Sequence, residues 1–139
     1  MKFSHAIALF TLLALPAFSL AAEQQEISVA TMPPVVVKTV PEAGSMTVDP
    51  ATTEIRATFS KDMRDGSWSF VQASPEENYP ATTDRPHYLD DHRTIVLPVK
   101  LEPGRTYLVW LNDSKFNNFR DSDGHRSVPY LLVFKTADK

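Results

Sequence analysis

Leu101-Glu102-Pro103-Gly104-Arg105-Thr106-Tyr107 is the stretch whose reading decides the fold. Pro103-Gly104 is a turn pair, since proline presets φ at one corner and glycine tolerates the positive φ of the next. On one side Ile95, Leu97, Val99 and Leu101 recur with the period of two that marks a strand; on the other, Thr106 to Leu111 is an apolar run. A tyrosine three residues past such a glycine forms a tyrosine corner, whose hydroxyl hydrogen-bonds back to the turn and fixes the crossing between two sheets. Pro103, Gly104 and Tyr107 are therefore read as structural.

The rest of the chain agrees. Val35 to Val40 is rich in β-branched residues and stops at Pro41, with Gly44 in the turn that follows. From Thr53 to Ser60 the residues alternate, Ile55, Ala57 and Phe59 facing one way and Glu54, Arg56 and Thr58 the other. Gly66 precedes Trp68-Ser69-Phe70, where Trp68 and Phe70 share a face and Trp68 is assigned to the core. Val128 to Thr136 is apolar on both faces, as in a covered strand. No stretch carries helical periodicity. The expected fold is all-β, an antiparallel β-sandwich of about seven strands over 34–137. Only 73–92 fits poorly, being too long for a structureless loop; short edge strands near Tyr79 and Tyr88-Leu89 would account for it.

Composition narrows the function. The 139 residues, 42% hydrophobic and 22% charged, suit one globular domain rather than a disordered chain. A net charge of −3 advertises no nucleic-acid surface. With no Cys there is no disulfide, thiol nucleophile, Cys-based zinc site or lipidated anchor. Residues 1–22 read as a signal peptide: Lys2, an apolar run from Ala6 to Leu15, and Ser19-Leu20-Ala21 before a cut after Ala21 or Ala22. That run is too short for the ~20 residues of a bilayer span, so no stable membrane insertion is expected after cleavage. Polar residues 23–33 read as an N-terminal tether.

At this point the residues resemble a known family. Val40-Pro41-Glu42-Ala43-Gly44-Ser45, then Ile55 to Met63 ending Phe-Ser-Lys-Asp-Met, is similar to the opening of SbsA-type bacterial Ig-like domains. The corner at Pro103-Gly104-Tyr107, and Asp121-Ser122-Asp123-Gly124 before Tyr130 to Phe134, resemble their end. The resemblance implies an Ig-like sandwich and a place in the envelope or outside the cell, here as a stand-alone domain. Met63, which ends the Phe-Ser-x-x-Met pattern, is read as core filler.

Three constellations carry chemistry. Asp121-x-Asp123-Gly124 begins like a calcium loop, with Asp113 able to approach from across it, but it lacks the third acidic ligand and the distal Glu and better suits a hairpin turn. His87, His92 and His125, with Met32, Met46 and Met63, raise copper. The copper-resistance carriers, similar in size and opening, use a histidine at the mature N-terminus, where this chain has Ala22-Glu23-Gln24-Gln25. Trp110, Phe116 and Phe119 are the candidate partner-binding residues, because Phe116 and Phe119 lie in a polar loop and burying them requires that loop to fold back. Asn112-Asp113-Ser114 matches a glycosylation pattern that is common by chance. No nucleophile elbow, zinc-protease helix or phosphate loop occurs, so no catalysis is expected. The expectation is a periplasmic or secreted binding module that recognises an envelope protein or polymer without a cofactor; the alternative is a periplasmic copper or calcium carrier.

Overall fold

Period-two patterning becomes an alternation between core and solvent, and it builds eight strands among the described residues. The computed structural model describes residues 23–73 and 75–139; the expected signal segment, 1–22, lies outside them. In chain order the strands are β1 (Val36–Val40), β2 (Glu54–Phe59), β3 (Phe70–Val71), β4 (Ala81–Thr82), β5 (His87–Tyr88), β6 (Thr94–Lys100), β7 (Thr106–Leu111) and β8 (Tyr130–Lys135). One sheet runs β1-β2-β6, with β4 and β5 both paired to the far edge of β6; the other runs β3-β7-β8. Every named strand pair is antiparallel.

The core lies between the sheets. Ile55, Ala57 and Phe59 point inward from β2, Tyr107, Val109 and Leu111 from β7, and Leu132 and Phe134 from β8, all essentially buried. Strand β6 is interior to its sheet, so Val96 is buried along with Ile95, Leu97 and Val99. Met63 is buried too, and Trp68 leans half-buried against the cluster with Phe70. At roughly 1.5–3 kcal/mol for each large apolar side chain, this set can hold the domain together without a disulfide.

The corner forms as its sequence requires. The Glu102 N–H donates to the Tyr107 hydroxyl at 2.8 Å, and the Tyr107 ring is buried beside Phe134. Thr136, just past β8, locks the same turn, its Oγ1 accepting the Arg105 N–H at 2.9 Å and donating to Glu102 O at 2.6 Å.

Past β1 the chain changes sheets. Between Gly44 and Val48 it leaves β2 and lies along β8, where Val48 and Thr136 form a parallel bridge. The stretch 73–92 does contain edge strands: β5 includes Tyr88, and a 3-10 turn at Glu76–Asn78 leads through Tyr79 to β4. At the other end, Ser28 to Met32 folds into a turn, and Lys61 Nζ donates to the carbonyls of Ala30 and Met32, each at 3.0 Å.

Candidate binding surface

The loop from Asn112 to Val128 joins β7 to β8 and carries most of the candidate residues. It starts with Asn112, at φ 59 and fully buried. Short amide side chains tolerate this left-handed conformation because they bond locally. Asn112 Nδ2 donates to Phe119 O at 2.9 Å and Ser127 O at 3.2 Å, while its Oδ1 accepts the Phe119 N–H at 3.0 Å. The loop is thereby pulled back on itself, and a side chain so enclosed is no glycan acceptor.

Phe119 goes with it into the core. It is fully buried, 5.2 Å from the Phe59 ring and 5.1 Å, edge to face, from Phe70. The expectation that Phe119 meets a partner is corrected: the polar loop folds back, and this ring anchors it. Phe116 does the reverse. It is 50% exposed at the tip of a turn held by Asp113, whose Oδ1 accepts the N–H groups of Lys115 at 2.8 Å and Phe116 at 2.5 Å. Lys115 Nζ sits 5.4 Å from the centroid of that ring.

Trp110 is half-buried on the outer face of the three-stranded sheet, where strand register places it opposite Leu131 on β8 and Val71 on β3. Leu108 and Val133 pair one step along. The outer face of β7 and β8 is therefore apolar across both strands, where a sandwich ordinarily turns polar residues to water.

The acidic loop builds a different centre. Asp121 is buried at 1% exposure, and its carboxylate is fully engaged. Oδ1 accepts the N–H groups of Asp123 at 3.0 Å and His125 at 2.8 Å; Oδ2 accepts from Lys61 Nζ at 2.5 Å and meets His125 Nδ1 at 2.8 Å. Burial works against ionisation, but the Lys61 ammonium and the two His125 contacts outweigh it and hold the carboxyl down at about 2.

Ligating atoms of Asp121, Asp123 and His125 lie within 4.8 Å of one another, so His125 takes the place expected for Asp113, which is occupied with its own turn. Among the described residues His87 and His92 join no such group. The residue that sequence reasoning missed is Lys61. Its only signal was a cation two residues past a strand end, which does not reveal an anion sixty residues away.

A family model of the bacterial Ig-like domain matches residues 30–136. Two solved structures of a bacterial surface protein are similar in fold: the S-layer protein SbsC, as its 31–844 fragment and as its domains 1–6. Each matches with a TM-score of 0.52 at 17% identity over 79% of this chain. This chain spans only 14% of either S-layer chain. No curated protein sequence matches. With the sandwich, its corner and a family match that spans nearly all of the described chain, this protein belongs to the bacterial Ig-like domain family.

Proposed function

We propose that this chain is an exported, non-catalytic binding module of the bacterial envelope, with residues 1–22 as its signal peptide. One observation carries the reading: Leu108, Trp110, Leu131 and Val133 make an apolar outer face on β7 and β8, and the loop that follows β7 exposes Phe116. A contiguous apolar surface on a small domain marks an interaction site. An apolar sheet face suits another envelope protein better than a hydrated polymer. Among the described residues no helix is long and apolar enough to cross a membrane.

The test expresses the full chain with its own leader, fractionates the cells, and places a photo-crosslinking residue at Phe116 or Leu131. The reading requires the shortened chain in the envelope or medium, and a crosslinked protein whose binding is reconstituted from purified parts and lost in Leu131→Lys. A chain retained in the cytoplasm, or binding indifferent to Leu131→Lys, would overturn it.

A second reading, a metal carrier or sensor, is favoured by the proximity of Asp121, Asp123 and His125. Any metal there competes directly with Lys61, whose ammonium already holds the central carboxylate.

A further inference from the structure

Strand β5 and the loop before it border a cavity of about 490 Å³ outside the core, lined by Asp65, Trp68, Asp84, Arg85, His87 and Tyr88. That is within the roughly 300–1,000 Å³ of small-ligand sites. Strand β5 brings His87 and Tyr88 to the rim, and the loop after Met63 brings Asp65 and Trp68 from a part of the chain twenty residues earlier.

What sets this cavity apart is that its two carboxylates are oriented while its other polar groups have no partner among the described residues. Asp65 and Asp84 each give one carboxylate oxygen to the next backbone N–H, of Gly66 at 2.6 Å and of Arg85 at 2.7 Å. This orients each carboxylate and leaves its second oxygen as an acceptor. The Arg85 guanidinium, the His87 ring and the Trp68 indole N–H make no hydrogen bond or ion pair among the described residues. The Tyr88 hydroxyl is buried and has no partner there either. Burial first, and the charge of Asp65 second, push that phenol up, so it stays protonated as a donor. A buried donor left unpaired is a cost that an ordered water reaching it would remove. The contrast with the acidic loop is direct, because there Lys61, Asp121 and His125 satisfy one another.

An aromatic wall rimmed by acceptors (Asp65, Asp84) and donors (Arg85, His87) complements a molecule with an apolar face and with hydroxyls that both donate and accept. A pyranose ring has that chemistry: its C–H face packs on an aromatic ring and its hydroxyls bridge between carboxylates and cations. A basic side chain would find the two carboxylates but would meet Arg85. We infer that the Trp68–Tyr88 cavity is a subsite for a neutral sugar of an envelope or extracellular polysaccharide. This rests on the envelope reading, since an exported chain is the one that meets such polymers, but it uses a different part of the molecule from the Trp110 face.

The experiment titrates the purified protein with chitotetraose, cellotetraose and maltotetraose, and with a lysine-rich peptide, following tryptophan fluorescence and heat. Trp110→Phe leaves Trp68 as the only tryptophan, so any saturable change reports from the cavity. The expected result is saturable binding of at least one of the three sugars. Binding should weaken by about tenfold or more in Asp84→Asn, consistent with loss of a charged hydrogen bond, and vanish in Trp68→Ala. Since Trp68 also leans on the core, Asp84→Asn and Arg85→Ala, both at exposed positions, decide the matter if Trp68→Ala fails to fold. No binding of any of the three sugars, sugar binding unchanged in Asp84→Asn and Arg85→Ala, or binding of the peptide alone would each overturn the inference. A chain that is exported and keeps its protein partner through Leu131 yet ignores all three sugars would sink this inference and leave the proposed function standing.

Discussion

The amide of Asn112 clasps the backbone of Phe119 on both sides, accepting its N–H at 3.0 Å and donating to its carbonyl at 2.9 Å. A side chain thus stands in for a strand neighbour, at a place where the loop has none. Asn112→Ala should destabilise the domain by roughly 3 kcal/mol or more, because it orphans buried backbone groups and sets a β-carbon at positive φ. Asn112→Gly should recover only the conformational part, about 1 kcal/mol. Urea melts check both; a mild effect of Asn112→Ala, similar to that of a surface change, would mean that the clasp does not hold the loop.

Two phenylalanines three residues apart should behave oppositely. Phe119→Ala removes a ring packed between Phe59 and Phe70 and should cost about 3–5 kcal/mol. Phe116→Ala, at an exposed tip, should stay within about 0.5 kcal/mol of wild type and instead weaken partner capture. Comparing stability with crosslinking yield for the two variants is the check.

Acid should loosen the Lys61–Asp121–His125 centre. The folded Asp121 carboxyl, near 2, lies below its ordinary 3.8, so the unfolded chain binds the extra proton between those values. Its contribution is therefore present above pH ~4 and lost as pH falls toward 2, on the order of 2 kcal/mol. Asp91 is also held low, first by the Thr94 hydroxyl, so the informative quantity is wild type minus Asp121→Asn. That difference should shrink with falling pH, and Lys61→Met should flatten most of it. A difference that is constant from pH 5 to 2 would contradict the network.

Metals offer a further test of Lys61. With the ammonium on Asp121 Oδ2, the melting temperature of the wild type should not move with calcium, zinc or copper(II), whereas Lys61→Ala frees that oxygen beside Asp123 and His125. A metal at a hundred times its dissociation constant would add about 2.7 kcal/mol to the variant. A specific rise in the wild type would instead favour the carrier reading.

The sandwich was legible because its signals are local. Alternation at Ile55, Ala57 and Phe59, and the spacing of Pro103, Gly104 and Tyr107, each fall within one short window, and the structure uses both as read. The Phe116–Phe119 loop was not, because which ring turns inward depends on Asn112 and on Phe59 and Phe70 from distant strands. Lys61 and Asp121 meet across sixty residues, and nothing in either neighbourhood names the other. The cavity beside Trp68 was hidden for a further reason: half of its wall comes from 73–92, the segment whose pattern was weakest.

The early change of sheets at Gly44 sets how the molecule bears force. Gly44 donates to Val133 O, Lys135 to Ser45 O, Val48 to Lys135 O and Ala137 to Val48 O, so two stretches running the same way are laced together. Chain ends pulled in opposite directions drag these stretches lengthwise past each other, and the four bonds share the load instead of opening one by one. A single-molecule pull on the two ends should meet one high rupture peak that drops when Val48→Pro removes a rung. A gradual, peakless extension would show that the ends are not clamped. A module of this build would hold its shape under tension along its own length.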